Sequence, residues 1–283
     1  MVDVVKTVRQ MHQVADGLRQ QGVRIGLVPT MGYLHEGHLS LVLRALKEAD
    51  RVVVSIFVNP MQFGPKEDLG AYPRDLDRDL NLISELGAHV AYVPEVVEMY
   101  PDGYATAVEV AGLTDHLCGA SRPGHFRGVA TVVAKLFAAV KPHVAVFGQK
   151  DAQQVAVIRR MTRDLNLDVA VVVAPTVRES DGLAKSSRNI YLSPEARLEA
   201  PVLNRALQTG KTLIEQGERQ AQVVMDTMRT MIADAPHAEI DYIEVVDADR
   251  IQPVETLSGT VLLAVAVRFG KARLIDNIAI LVG

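Results

Sequence analysis

The stretch VRIGLVPTMGYLHEGHLSLVLRALKEA, residues 23–49, decides the fold. Residues 23–30 form a short run of mostly apolar residues, the signature of a buried strand. Residues 39–49 place apolar side chains at helical spacing, and the turn between the two carries Gly32 and Gly37. One strand, one glycine-bearing turn and one helix make a βα unit. The unit recurs along the chain. Residues 51–59 (RVVVSIFVN), 88–93 (AHVAYV), 143–147 (HVAVF) and 169–174 (VAVVVA) read as strands, and 76–86, 128–140 and 151–165 as helices. Continuous apolar strands alternating with helices predict a parallel sheet covered on both faces. The expectation is a doubly wound, Rossmann-like α/β domain over residues 1–176. In that architecture ligands bind beyond the carboxyl ends of the strands, so the loops after the strands are the places to search.

From Val177 onward the pattern changes. Ser193 caps a helix that has Pro194 in its first turn. Helical segments at 195–216 and 219–233 follow, with Pro201 breaking the first near its start. Strand candidates at 240–246, 261–267 and 272–280 are joined by loops alone, which predicts an antiparallel sheet. A smaller α+β domain over 177–283, hinged near Thr176 and able to act as a lid, is the expected second unit.

Composition narrows the function classes. Hydrophobic residues make up 48% of the chain and charged residues 23%, ordinary values for a packed globular protein. A formal net charge of −4 gives no electrostatic reason for a nucleic-acid or membrane partner. The single cysteine, Cys118, excludes an internal disulfide framework and a cysteine-only metal cluster. No apolar run approaches the ~18 residues of a membrane span, and the amino-terminal residues lack a signal-peptide core. A cytoplasmic location is expected.

Four motifs carry chemistry. The turn of Met31, Gly32, Tyr33, Leu34, His35, Glu36, Gly37 and His38 contains H-x-G-H at a strand–helix junction. Glycine lets a nucleotide approach the backbone, and the new helix directs free N–H groups and its positive dipole end at phosphates. Two imidazoles there can donate to phosphate oxygens as charge builds. The loop of Lys185, Ser186, Ser187 and Arg188 can clamp a triphosphate with hydroxyls and a bidentate guanidinium; alone, a solvated hinge is the simpler reading. In Gly148, Gln149, Lys150, Asp151 and Gln154, Lys150 can neutralise phosphate charge and Asp151 can hold a ribose hydroxyl. An ordinary helix start explains that segment about as well. Asn59 and Gln62 follow the second strand, and the Gln62 amide suits a hydroxy acid. An H-x-G-H early and a K-x-S loop late, in that order, are shared by nucleotidylyltransferases and class I synthetases.

Six motifs in order, P-T-M-G-x-L-H-x-G-H, N-P-x-Q-F, E-D-L-x-x-Y-P-R (67–74), R-P-G-H-F-R-G-V (122–129), F-G-x-K-D-x-Q-Q and L-A-x-S-S-R-N, resemble the pantothenate synthetase family, the pantoate–β-alanine ligases. The resemblance covers nearly the whole chain. It implies an enzyme that uses ATP to activate (R)-pantoate as pantoyl-adenylate, releasing pyrophosphate, and then passes the acyl group to β-alanine, releasing AMP. It implies Mg²⁺ with the nucleotide, with no residue assigned as a metal ligand, and a homodimer to which residues 51–59 or the following segment contribute. Residues 31–38 would line the ATP site, with His38 catalytic as a protonated donor, His35 assisting and Lys150 also catalytic. Gly148, Gln149, Lys150, Asp151 and Val177 would hold adenosine and ribose, and Lys185 to Arg188 the phosphates. Gln62 and Gln154 would bind pantoate, with Asn59, Arg122 and His125 on the substrate side.

Lys185, Gln149 and Ala152 depart from the family pattern and put the local packing of their segments in question. The acidic run of Asp75, Asp77 and Asp79 reads as a solvated helix face rather than a Mg²⁺ site. Two rivals stand beside the ligase: a nucleotidyltransferase acting on a phosphorylated acceptor, which has no need of the N-P-M-Q-F or H-F-R-G segments, and an inactive nucleotide-binding regulator. A tRNA-charging fragment is disfavoured by the net charge.

Overall fold

The computed structural model describes residues 2–64 and 69–283. Pro65, Glu67 and Asp68, which belong to the 60–65 loop and the 67–74 motif, lie outside the described residues. The chain divides into two compact units. One comprises Met1–Val110, Arg122–Gly148 and Val157–Pro175; the other comprises Ala111–Ser121, Gln149–Ala156 and Thr176–Gly283.

In chain order the elements are β1 (Asp3–Val5), α1 (Val8–Gln20), β2 (Ile25–Thr30), α2 (Glu36–Glu48), β3 (Arg51–Ile56), α3 (Leu76–Glu85), β4 (Val90–Tyr92) and α4 (Val96–Met99). Then come α5 (Leu117–Ser121), α6 (His125–Val140), β5 (Val144–Gly148), α7 (Ala152–Asp164) and β6 (Ala170–Ala174). The carboxyl-terminal part holds α8 (Pro194–Glu199), α9 (Val202–Glu215), α10 (Ala221–Ala233), β7 (Ala238–Asp247), β8 (Gly259–Phe269) and β9 (Ala272–Val282).

The first unit is built on a parallel sheet in the order β1-β4-β3-β2-β5-β6. Val28, Val52, Val54 and Val146 pack with Leu41, Val42 and Ala45 of α2 and Ile83 of α3. Leu27, Val53 and Ala145, equally buried, alternate to the other face, where α1 and α6 run together. The doubly wound reading therefore holds. After β2 the chain adds β3 and β4 to one side and then returns to place β5 on the other, so strand order reverses between β2 and β5. That is where open α/β sheets bind ligands. Strand β3 is ladder-paired on both sides, by β2 and β4. The free edges of the sheet are β1 and β6.

In the second unit β7, β8 and β9 form an antiparallel sheet. One face, with Ile243, Val245, Leu263, Val265 and Leu274, packs on α9 and α10. The opposite face carries Tyr242, Glu244, Ala264 and Asn277, the last three aligned in one row across the sheet. Segments 111–121 and 149–156 are bonded here. Cys118 Sγ lies 3.3 Å from the Tyr242 hydroxyl, and the buried Gln153 Nε2 donates to the carbonyls of Leu113 at 2.9 Å and His116 at 2.8 Å. A single cut at 176/177 does not anticipate those two insertions, because their partners are remote in sequence. Ser193 caps α8 through a bond from Ala196 N, and the break between α8 and α9 falls at Ala200–Pro201. Among the described residues no helix is long and apolar enough to cross a membrane.

Candidate active site

The loop after β2 is shaped by two consecutive left-handed residues, Gly32 at φ 84° and Tyr33 at φ 49°. A Cβ on Gly32 would come within 3.1 Å of Asp79 Oδ2 and Ile56 Cγ2, so glycine answers both the dihedral and the crowding. Asp79 holds the strained turn from α3. Its Oδ2 accepts Tyr33 N–H at 2.6 Å and its Oδ1 accepts Leu34 N–H at 2.7 Å. At 1% exposure this carboxylate is not on a solvated helix face, and the expectation is corrected for Asp79 alone: Asp75 and Asp77 are exposed, Asp75 capping α3, while Asp79 braces the turn at Gly32 and Tyr33. Burial pushes the Asp79 carboxyl up, opposed by the two N–H donors and by Arg78.

Helix α2 begins at Glu36, so His35 is its cap and His38 its third residue. His35 Nδ1 accepts Gly37 N–H at 3.1 Å, and His38 Nδ1 accepts His35 N–H at 3.3 Å. The two rings stack at 4.1 Å between centroids. A ring nitrogen that accepts a backbone N–H carries no proton, so each neutral imidazole keeps its proton on Nε2. The protonated form expected for His38 would place an N–H against an N–H and break this reciprocal cap. Both imidazoles thus stand at the amino end of a helix with Nδ1 turned to the backbone of their own turn.

Gln62 sits on a 3-10 turn, Pro60–Gln62, after β3. Its main-chain carbonyl accepts His125 Nδ1–H at 2.8 Å and Arg122 Nη2–H at 3.3 Å, while Arg122 Nη1 lies 3.0 Å from His125 Nε2. His125 is the first residue of α6. Asn59 is 1% exposed. Its Nδ2 donates to Gln62 Oε1 at 3.2 Å and to the Gly128 carbonyl at 3.1 Å. Its Oδ1 accepts the Tyr100 hydroxyl at 2.8 Å and Met61 N–H at 3.3 Å. With every polar atom engaged, Asn59 orients Gln62 and has nothing left for a substrate. Gln62 Nε2 rests 3.0 Å from Met31 Sδ. Gly128 permits all of this, since a Cβ there would fall 2.2 Å from the Met61 carbonyl oxygen. Sequence reading passed over Tyr100 and gave Asp79 to a solvated helix face; the signal for both is their position in the fold.

In the second unit Gln149, Lys150 and Asp151 form a 3-10 turn leading into α7, and Gln154 lies half-buried in the first turn of that helix. Asn277 of β9 donates to the carbonyls of Gln149 and Lys150, and Gln149 Nε2 donates back to Asn277 Oδ1. The departure at Gln149 is thus accommodated; nothing in the structure explains Ala152. Val177 belongs to a short hairpin, its carbonyl accepting Lys185 N–H at 2.9 Å. Lys185 Nζ stands 4.0 Å from Glu179, a residue also bonded by Arg197 and Asn189. Ser186 caps the 3-10 turn Ser187–Tyr191 by accepting Arg188 N–H.

A family model for pantoate-beta-alanine ligase matches residues 3–279. The chain belongs to the pantoate–beta-alanine ligase family. It is 58% identical to the pantothenate synthetase of Heliobacterium modesticaldum over 277 residues, 98% of this chain and 99% of that one. To the pantothenate synthetase of Moorella thermoacetica it is 55% identical, covering 99% of each chain. Its structure is similar to that of the pantothenate synthetase from Thermus thermophilus, with a TM-score of 0.93 at 48% identity over 98% of this chain and 99% of that one. It is also similar to the pantoate-beta-alanine ligase of Francisella tularensis complexed with beta-gamma ATP and beta-alanine, with a TM-score of 0.79 at 33% identity over 98% and 97%. As a pantoate–beta-alanine ligase, the chain joins pantoate to beta-alanine at the expense of ATP. The activated intermediate is pantoyl-adenylate, and AMP and pyrophosphate are released.

Proposed function

We propose that the two neutral histidines at the start of α2 drive this ligation. In the first step the pantoate carboxylate attacks the α-phosphorus of ATP and pyrophosphate leaves. In the second the beta-alanine amine attacks the acyl carbon and AMP leaves. His38 Nε2–H donates to phosphate oxygens as negative charge builds on them, with His35 beside it. Lys150, Lys185, Ser186, Ser187 and Arg188 take the remaining phosphate charge, while Gly148, Gln149, Asp151 and Val177 hold the nucleoside. Gln62 and Gln154 bind pantoate, and Asn59, Arg122 and His125 keep Gln62 in place.

One observation carries this reading: each histidine accepts a backbone N–H of the same turn at Nδ1, which fixes both rings where α2 begins beyond β2. Mg²⁺ would ride on the nucleotide. Magnesium is ordinarily held by phosphates and water with few protein ligands. Bound there, it screens the phosphate charge. We also propose a cytoplasmic homodimer; sedimentation velocity gives the mass.

The test is release of AMP and pyrophosphate from ATP with pantoate alone, with pantoate and beta-alanine, and with neither. Sustained turnover only with both acids, lost in His38→Ala, is expected. Sustained turnover without pantoate, or an unimpaired His38→Ala, overturns the proposal.

A further inference from the structure

Two neighbouring residues of β9 grip both segments of the second unit that the proposed function assigns to the nucleotide. Asn277, 6% exposed, uses Nδ2 for the carbonyls of Gln149 at 3.1 Å and Lys150 at 2.8 Å, and its Oδ1 accepts Gln149 Nε2–H at 3.1 Å. Asp276, on the opposite side of the strand and 3% exposed, accepts the Arg178 guanidinium as a fork, at 2.6 and 3.0 Å. Arg178 also donates to the Gly182 carbonyl at 3.1 Å, closing the hairpin that runs from Val177 to Lys185. The two β9 residues are themselves tied, since Asn277 N–H donates to Asp276 Oδ1 at 2.8 Å.

The rest of β9 is what a packed strand needs, with Leu274 and Ile280 buried in the core of the unit. Two adjacent buried polar side chains are a poor way to add stability there. A buried ion pair is often matched or exceeded by apolar residues of similar size. What a fully satisfied polar pair supplies is direction, because each bond fixes a particular carbonyl or guanidinium. Both directions lead to nucleotide segments.

We infer that Asp276 and Asn277 are positioning residues for ATP, fixing the Gln149–Asp151 turn and the hairpin before Lys185–Arg188 on one rigid strand. The inference rests on the assignment of those two segments to the nucleotide. Neither residue touches reacting atoms; both act through the backbone they hold. Displacement of a binding segment by about an ångström costs as much as two orders of magnitude in a preorganised site.

The discriminating variant is Asn277→Leu, which keeps the volume and removes the direction. The readouts are KM for ATP, KM for beta-alanine, kcat and the thermal midpoint, alongside Asp276→Asn and the direct-contact controls Lys150→Ala and Arg188→Ala. The expected result is a rise of about tenfold or more in KM for ATP in Asn277→Leu. Asp276→Asn should show a smaller rise, and KM for beta-alanine should stay put in both. An unchanged KM for ATP in both variants, with only the thermal midpoint or the active fraction lowered, overturns the inference. If the two controls also leave KM for ATP unchanged, the assignment of the segments fails and the inference falls with it. If the controls raise it and the β9 variants do not, the inference falls alone. Should Asn277→Leu fail to accumulate as folded protein, Asp276→Asn decides by the same criterion.

Discussion

The two ends of the parallel sheet use one bond for two purposes. At the amino end His143 Nδ1 accepts Ile25 N–H at 3.0 Å as β2 begins, and His89 Nδ1 accepts Val52 N–H at 3.1 Å in β3. At the carboxyl end His35 and His38 accept backbone N–H groups in the same way. At the amino end the rings close gaps in the ladder. Burial, then the cationic Arg51, lowers the His89 pKa; burial, then Arg19 and Arg24, lowers that of His143. At the carboxyl end the rings stand where a long helix starts and where strand order reverses. The hydrogen bond does not separate a structural histidine from a functional one. Its address in the fold does.

The comparison breaks first at His38. His38→Ala is expected to lower kcat by about 10²–10³-fold, the cost of losing a donor to transition-state charge. His143→Ala should leave kcat unchanged and lower the thermal midpoint; steady-state turnover and a melting curve on both variants check the pair. Asp79→Asn comes next. An amide can accept only one of the two N–H groups, so about 1–3 kcal/mol of stability should go, together with a raised KM for ATP, read from urea unfolding and initial rates. His35→Asn is finer, because asparagine is a good helix cap. Stability should stay within about 0.5 kcal/mol while turnover falls roughly tenfold, a split that places the contribution of His35 at Nε2.

The smallest effect belongs to the amino end. A folded histidine with a lowered pKa stays neutral where the unfolded chain takes up a proton. Its stabilisation is therefore whole above the ordinary value of 6.5 and is lost as pH falls from there toward the depressed folded value. His89→Asn should flatten this loss in a series of melts below pH 6.5 and leave activity at pH 8 untouched.

Much of this was legible from sequence because it is local. Strands 25–30, 51–56, 144–148 and 170–174 announce themselves as apolar runs, and H-x-G-H falls visibly between a strand and a helix, although its capping role was not read there. The amino-terminal β1 and α1 escaped notice. A three-residue edge strand has no pattern to read, and α1 buries only Met11 and Ala15. The braces of the site escaped for a different reason. Asp79 reaches Tyr33 across 46 positions, Tyr100 reaches Asn59 across 41, and Asn277 reaches Gln149 across 128. An aspartate in the first turn of a helix looks the same in sequence whether it faces water or a strained turn, so only topology tells them apart.

The distance between Asp79 and its turn also governs when the enzyme becomes competent. The left-handed pair at Gly32 and Tyr33 has one short-range bond, Gly32 N–H to Thr30 Oγ1 at 3.3 Å, while the closer bonds, from Tyr33 and Leu34 N–H, both go to Asp79. It must wait until β3 has been laid beside β2 and α3 has docked on the sheet, a loop closure whose entropy falls due before any contact repays it. During refolding, ATP binding should then recover later than helical content, with α2 already formed while the turn at Gly32 and Tyr33 is still unset.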